Sequence, residues 1–238
     1  MSLDRLTSLV QGLRIETVGS ADVVGASLFV YSQPTGYRVQ VGGNGVGAVV
    51  ALKVSWGSAA DPLVSAVGDF AMSVSLEDDL YALVRLLAEE VKKPRCGSVS
   101  VLTGYGEALI VHLFRAALTA GAAENGLLAG LADPRLARAL VVMHDQPYNQ
   151  WRVEDLADEA GMSRSAFMAR FKTVMKETPM TYLRRWRIAR ARDALRRGDR
   201  VTDVARRFGY RSSDAFARAF FKVEGQLPSK IAMADIDL

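Results

Sequence analysis

Hydrophobic positions follow two different periods along this chain. Between residues 13 and 56 they partly alternate, and Val, Phe and Tyr are enriched in segments 27–31, 37–41 and 46–54. Such alternation predicts half-buried β-strands. From residue 76 onwards, apolar residues recur every three or four positions, which predicts amphipathic helices. The chain is therefore predicted to begin with β structure and to continue as helices.

Two glycine-containing segments separate the predicted strands. Gln33-Pro-Thr-Gly36 and Gly42-Gly-Asn-Gly45 have compositions typical of turns. Gly43-Asn-Gly-Val-Gly-Ala48 also matches the G-x-G-x-x-A fingerprint of dinucleotide sites, but that fingerprint opens a helix, whereas a strand-like run follows here. We therefore interpret it as a hairpin turn and keep a phosphate site as the less favoured alternative.

Two amphipathic helices are predicted in the rest of the first half. One starts near residue 76 and is stopped by Pro94, and the other spans residues 98–120. Their apolar faces could form an intramolecular core, a dimer interface, or both, and apolar periodicity alone does not separate these outcomes. The predicted class of this region is α+β, with two helices beside a small sheet.

The sequence offers little for metal or catalytic chemistry. His112 and His144 each occur alone in a helical pattern, whereas a metal site needs several ligands at suitable spacing. Cys96 follows basic residues that could lower its pKa, but an unreactive loop cysteine is the favoured interpretation. The sequence has no Ser-His-Asp set, P-loop or HExxH motif. We expect no catalytic residue, no metal ligand, no cofactor, and hence no enzyme.

Three features favour a cytoplasmic, nucleoid-associated location. A single cysteine excludes an intrachain disulfide and is typical of a reducing compartment. No run approaches 18 consecutive apolar residues, which argues against a membrane span. The first residues carry an early acid and no long apolar core, unlike a signal peptide. We expect no membrane partner.

Charge is distributed unevenly between the two halves. The 238 residues carry a net charge of +4, but residues 1–134 hold 9 basic and 13 acidic side chains, whereas residues 135–238 hold 21 and 13. An acidic half joined to a basic half predicts that only the second half meets a polyanion.

Two similar patterns occur in that basic half, starting roughly 48 residues apart at Val153 and Val201. Each contains Val-x-x-Leu/Val-Ala, then a glycine, a serine and Phe-x-x-x-Phe. The turn glycines and the helix-capping serines are Gly161 with Ser163 and Gly209 with Ser212. Each pattern predicts a helix-turn-helix unit, whose second helix enters the major groove of DNA.

A long helix is predicted between these units, over residues 180–197 after the break at Thr178-Pro179. Its length of about 27 Å could place the two recognition helices about one DNA turn, or about 34 Å, apart. It contains many arginines, and Asp193 is the only acid within it. We therefore expect part of this charge to lack a local partner and to face phosphate.

The second half resembles the DNA-binding domain of the AraC/XylS family of bacterial transcription regulators. The resemblance covers residues 133 to about 231 and rests on four motifs in order. They are Ala160-Gly-Met-Ser-Arg-Ser-Ala-Phe, Thr178-Pro-Met-x-Tyr-Leu-x-x-Trp-Arg187, Asp203-Val-Ala-x-x-x-Gly-Tyr210 and Phe216-x-Arg-Ala-Phe220. The family usually has an aromatic residue after the proline of its closing segment. Leu227-Pro-Ser-Lys-Ile231 lacks it, so the last helix is expected to pack differently.

The first half resembles a shortened cupin-type sensor domain found in one branch of that family. The motifs are Leu3-Asp-Arg-Leu6, Asp61-Pro-Leu-Val64 and Leu127-Leu-Ala-Gly-Leu-Ala-Asp-Pro134. We expect an incomplete barrel that binds no metal. The predicted domains are a sensing or dimerisation domain over residues 1–131 and a DNA-binding domain over residues 132–238. The helix-turn-helix motifs are expected at about 153–174 and 201–221.

The resemblance implies base contacts from the outward positions of both recognition helices, and basic residues around them are expected to contact phosphate. The expected base-contacting residues are Ser165, Met168, Ala169, Ser213, Asp214 and Arg218. The expected phosphate-contacting residues are Arg164, Lys172, Arg185, Arg190, Arg211 and Lys222.

The leading hypothesis is a sequence-specific, DNA-binding transcription regulator controlled by its N-terminal domain. Its expected partners are double-stranded promoter DNA, RNA polymerase if it activates, a small-molecule effector at the N-terminal domain, and a second copy in a homodimer. The alternative is a ligand-binding cupin-type protein, or an interaction and dimerisation module, with an accessory DNA-binding domain.

Overall fold

A computed structural model describes residues 4–10, 13–55, 70–120 and 126–233. The strands are β1 (Arg14–Gly19), β2 (Leu28–Gln33), β3 (Gly36–Val41), β4 (Val50–Ser55) and β5 (Ala71–Ser75). The first helices are α1 (Thr7–Val10), α2 (Asp79–Lys92), α3 (Ser98–Thr119), α4 (Leu127–Ala132) and α5 (Leu136–Asp145). The others are α6 (Val153–Glu159), α7 (Arg164–Met175), α8 (Pro179–Arg196), α9 (Val201–Arg207), α10 (Ser213–Glu224) and α11 (Pro228–Met233).

The chain divides into two compact units. Of the described residues, 13–55 and 70–120 form one, here called the sheet unit, and 4–10 and 126–233 form the other, the helical unit. The predicted boundary at residue 131 differs from this division, because α1 packs against α5 and Arg5 donates a 2.8 Å hydrogen bond to the Leu131 carbonyl. The N-terminal helix thus belongs to the same packed body as the helix-turn-helix region.

The sheet unit contains a five-stranded antiparallel sheet in the order β1-β4-β2-β3-β5. The predicted turn at residues 33–36 is confirmed, since Gln33 pairs with Gly36 in the β2–β3 hairpin. Gly36 has a φ of +142°, and a Cβ there would lie 2.1 Å from the Val74 carbonyl oxygen. Glycine is therefore required where β5 passes closest to this turn.

The hairpin predicted at residues 42–45 is wrong. β3 and β4 do not pair with each other. Both pair with β2, which lies between them in the sheet. The connecting loop therefore passes the end of β2, and several of its glycines, including Gly43 and Gly45, have positive φ. The loop leads into a strand, so the helix that a dinucleotide fingerprint requires is absent at this described position.

Helix α3 supplies much of the core of the sheet unit. Leu109 and Leu113 are fully buried, and Gly106 lets the helix approach the sheet, where a Cβ would lie 3.0 Å from Leu52. The apolar face of α3 that carries Leu109 and Leu113, which the sequence left as either core or dimer interface, therefore forms intramolecular core. By length and composition alone α3 could also cross a membrane, a test that core helices of soluble proteins pass as well.

The sequence prediction missed β5 and started α2 three residues early. Asp78 explains the later start, because its carboxylate accepts hydrogen bonds from the Ser75 backbone N–H (2.6 Å) and hydroxyl (2.8 Å). This turn holds residues 75–78 outside the helix. The proposed cupin motif at residues 61–64 lies outside the described residues, and the likeness of this region to a cupin sensor stays a prediction.

The helical unit is all-α, with two helix-turn-helix units joined by α8, as predicted. The N-terminal part of α8 buries Tyr182 and Trp186 near the first unit, where the Phe171 and Tyr182 rings lie 6.0 Å apart. The C-terminal part joins a second core. This core comprises Ile188, Ala191, Ala194, Leu195, Val204, Ala205, Phe208, Phe216, Phe220 and Ile231. In the closing segment, which lacks the aromatic residue usual in the family, Ile231 on α11 packs into the second core.

A buried polar contact lies where α5 crosses α8. A ring nitrogen of His144 lies 2.6 Å from the Tyr182 hydroxyl, and the Trp186 ring centroid lies 4.4 Å from that of His144. Burial lowers the pKa of His144 to about 3, with a further contribution from the charge of Arg190. The imidazole is therefore neutral in the folded protein at all ordinary pH values.

We predict that the helical unit loses stability as the pH falls below 6.5, the ordinary pKa of histidine. The unfolded chain then takes up a proton that folded His144 excludes, so the free energy of unfolding should drop by about 1.5 kcal/mol between pH 6.5 and pH 5. Urea unfolding followed by tryptophan fluorescence measures this loss. His144→Gln, which keeps a polar partner for Tyr182, should flatten the profile, and parallel profiles would contradict the assignment.

Candidate nucleic-acid interface

The turns of the two helix-turn-helix units have the same backbone conformation. Gly161 and Gly209 adopt left-handed φ values of +62° and +79°. The following residue closes the first helix in each unit, with Met162 N–H donating to the Ala157 carbonyl (2.9 Å) and Tyr210 N–H to that of Ala205 (3.0 Å). This is a glycine-dependent helix C-cap. The sequence repeat thus reflects a structural repeat.

Serine caps begin both recognition helices, as predicted. Ser163 accepts a hydrogen bond from the Ala166 N–H (3.3 Å) at the start of α7, and Ser212 accepts one from the Ala215 N–H (3.2 Å) at the start of α10. Each such cap typically contributes about 1 kcal/mol. The caps fix where each recognition helix begins, and so which side chains project from its first turns.

Paired phenylalanines fix the rotation of each recognition helix. The Phe167 and Phe171 ring centroids on α7 lie 5.5 Å apart, and those of Phe216 and Phe220 on α10 lie 5.4 Å apart, with all four rings fully buried. Since these rings occupy one face of each helix, the opposite face is presented to solvent.

Most of the expected contact residues lie on those outward faces or beside them. Those that are exposed are Arg164, Ser165, Ala169, Lys172, Arg211, Asp214, Arg218 and Lys222, whereas Met168 and Ser213 are half-buried. Ala169 and Arg218 occupy equivalent places, each six residues after its capping serine. The two units therefore present different chemistry at the same position.

Arg164 already has a carboxylate partner in the first unit. Its Nε lies 2.7 Å from Glu154, and both side chains are more than half exposed. An exposed pair of this kind contributes little stability and exchanges readily in water. Arg164 remains accessible to an external phosphate.

Arg190, in contrast, is unsuited to the phosphate contact expected from the sequence. Its side chain is only 13% exposed, its guanidinium lies 4.3 Å from the Trp186 ring centroid, and it pairs with Asp193 at 3.4 Å. Stacking and burial commit this arginine to the interior of the unit. We correct the expectation and remove Arg190 from the phosphate-contacting set.

Three other arginines of α8, namely Arg185, Arg187 and Arg192, have partners outside the helix. Arg185 pairs with Glu177 at 2.9 Å, and Arg192 pairs with Glu224, which is almost completely buried. Arg187 donates to backbone carbonyls of the loop before α6, at 2.6 Å each. The expected excess of unpartnered charge on α8 is therefore smaller than the sequence predicted.

A surface groove between α8 and α10 is lined by four cationic side chains, of which Arg184, Arg218 and Lys222 are exposed. Its lining, here called the basic groove, consists of Thr181, Arg184, Arg185, Arg218, Ala219, Lys222 and Val223. Sequence reasoning missed Arg184, which is exposed and forms no salt bridge within the described part of the chain. Its only sequence signal was membership of the arginine run, which does not separate it from its internally paired neighbours.

Glu177 is the carboxylate beside this groove that pairs with Arg185. Its side chain is 17% exposed, and burial raises its pKa, while the charge of Arg185 and its hydrogen bond act in the opposite direction. Elsewhere in the described ranges, no cluster of three or more His, Cys, Asp or Glu side chains could hold a metal ion.

Comparison with known proteins identifies the class of this unit. Residues 156–233 match the model of a helix-turn-helix domain family. An AraC-like transcription regulator of Streptomyces lividans is 44% identical over 122 residues, covering 50% of this chain and 40% of that protein. A second AraC-like regulator, from Streptomyces antibioticus, is 37% identical over 150 residues, covering 62% and 49%. The helix-turn-helix region of this chain is therefore similar to that of AraC-like transcription regulators.

One similar solved structure is the DNA-binding domain of AdpA in complex with a target DNA. It is 31% identical and covers 43% of this chain and 92% of that chain, with a TM-score of 0.39. The chain spans less than half the length of the two Streptomyces regulators that it matches.

We predict that Arg190→Ala reduces stability without changing contacts to DNA phosphate. The variant loses the contact of Arg190 with the Trp186 ring and its ion pair with Asp193. The free energy of unfolding should therefore fall by about 2 kcal/mol. Chemical denaturation measures this change, with Arg197→Ala, an exposed arginine just beyond the same helix, as the control. A stable Arg190→Ala protein whose DNA binding depends less on salt would contradict this assignment.

Proposed function

We propose that this protein is a sequence-specific, DNA-binding transcription regulator. In this proposal α7 and α10 enter successive major grooves on one face of the duplex. The observation that carries it is the repeat of glycine turn, serine cap and buried phenylalanine pair on either side of α8. The 18 residues of α8 span about 27 Å, which suits recognition helices about 34 Å apart.

Sequence preference is proposed to depend mainly on the second unit. Arg218 is exposed on α10 and has the donor geometry for guanine O6 and N7, whereas Ala169 at the equivalent place cannot hydrogen-bond a base edge. The remaining proposed base contacts have short or uncharged side chains, apart from one acid. They are Ser165 and Met168 on α7, and Ser213 and Asp214 on α10.

Affinity is proposed to come from phosphate contacts by exposed and half-exposed cations. The region from residue 135 onwards carries 21 basic and 13 acidic side chains, an excess that suits a polyanion. The proposed phosphate contacts are Arg164, Lys172, Arg185, Arg211 and Lys222. Because such contacts release counterions, binding should weaken steeply as salt increases.

The region before about residue 131 is proposed to regulate DNA binding, and the region from 132 onwards to perform it. The regulatory role would be ligand sensing, dimerisation, or both, with promoter DNA, a second copy and, for an activator, RNA polymerase as partners. A cytoplasmic, nucleoid-associated location follows from this role. The support is the separate compact sheet unit, which has its own buried core.

Selection of binding sites from randomised duplex DNA by the purified chain tests the proposal. We expect enrichment of a site with two conserved segments separated by about one helical turn, bound at least ~1,000-fold more tightly than random DNA. A footprint on the selected duplex should protect one face. Weak binding that is indifferent to sequence would overturn the proposed function.

We predict that Arg218→Ala relaxes the preference at a single base pair of the selected site. Loss of a bidentate contact to guanine should cost about 1–3 kcal/mol on that site and much less on random DNA. Arg206→Ala is the matched control, since it removes one positive charge from α9 of the same unit, where its side chain is 82% exposed. An unchanged base preference in Arg218→Ala would exclude Arg218 from base recognition.

A further inference from the structure

We infer that the basic groove between α8 and α10 holds a phosphate strand that borders the major groove occupied by α10. This inference rests on the proposed function and enlarges the α8 part of the interface, which so far contained only Arg185, into a continuous surface with α10. It adds Arg184 as a phosphate contact and Thr181 as a neighbouring hydroxyl donor.

Continuity with the proposed base contact locates the strand. Arg218 lines the basic groove and also lies on the exposed face of α10 that would meet base edges. A side chain that reaches into the major groove passes the sugar–phosphate backbone at its border. The groove beside Arg218 is therefore where that backbone would lie when α10 is seated.

The lining of the groove suits a phosphate strand. Arg184 and Lys222 are exposed cations on its two sides, and Arg185 lies beside Arg184. Ala219 and Val223 contribute small apolar surfaces to the wall formed by α10, which leave room for a sugar. Phosphate contacts from two helices would fix the orientation of α10 in the major groove, since such contacts set the register of a protein on DNA.

Glu177 limits how strongly the free protein attracts this strand. Its carboxylate holds Arg185 at 2.9 Å, so phosphate must compete with an intramolecular partner for that guanidinium. Arg184 has no such competitor among the described residues. We therefore assign the larger contribution to Arg184, and we expect neutralisation of Glu177 to tighten binding to every sequence.

Salt dependence of binding by the full chain tests the groove. Wild type, Arg184→Ala, Arg184→Lys and Glu177→Gln are titrated with the selected duplex and with random duplex over a range of KCl concentrations. Arg184→Ala should lower the slope of log K against log salt by about one and weaken both duplexes roughly tenfold. Arg184→Lys should largely restore the slope, and Glu177→Gln should tighten both duplexes a few-fold.

Arg115→Ala serves as the charge-matched control, because it removes an exposed arginine from α3 in the sheet unit. If Arg184→Ala behaves like Arg115→Ala while wild type binds selectively, the groove proposal is overturned and the proposed function survives. If wild type binds all sequences alike but Arg184→Ala still lowers the slope, the proposed function fails and the phosphate groove survives. Absence of any binding by wild type overturns both.

Discussion

The helical unit depends on the packing of two helix-turn-helix units onto a single helix. Tyr182 and Trp186 near the start of α8 belong to the core beside the first unit, whereas Ile188 and Leu195 belong to the core of the second. Since both cores include residues of one helix, a flexible linker does not set the separation of the recognition helices. Their separation follows from helix rise, which is nearly invariant. Substitutions in these cores would thus alter the separation of the two recognition helices as well as the stability of the unit.

Arginine serves two opposed purposes in this unit. Some arginines have partners inside the fold: Arg187 donates to backbone carbonyls, Arg190 stacks on an aromatic ring, and Arg192 pairs with a buried carboxylate. Arg184 and Arg218 remain on the surface beside the basic groove. A guanidinium suits both tasks because its planar donors and weak hydration favour paired or stacked burial as much as phosphate recognition. Overall basic charge therefore overstates the number of contacts available to a polyanion.

The two recognition helices have matching architecture and different surfaces. Position by position after the capping serine, Ala169 corresponds to Arg218, and Lys172 corresponds to Phe221, which is 53% exposed. The shared features are buried or backbone features that the turn and the core require. The differences at these two pairs lie at exposed positions, where the fold imposes little constraint. In the proposed function, the second unit therefore supplies the base-reading arginine that the first unit lacks.

Local features were predictable from the sequence alone, because they depend on residues close together in the chain. The turn glycines, the serine caps, the phenylalanine pairs and the bounds of α3 and α8 were predicted to within one or two residues. Three features became visible only in the folded chain: β2 separates β3 from β4, α1 joins the helical unit, and Arg190 is largely buried. Strand order, docking and ion pairing join residues that are distant in the chain, as Arg192 and Glu224 are. Spacing and periodicity carry no information about such partners, so the division of arginines between core and surface emerged only from the folded chain.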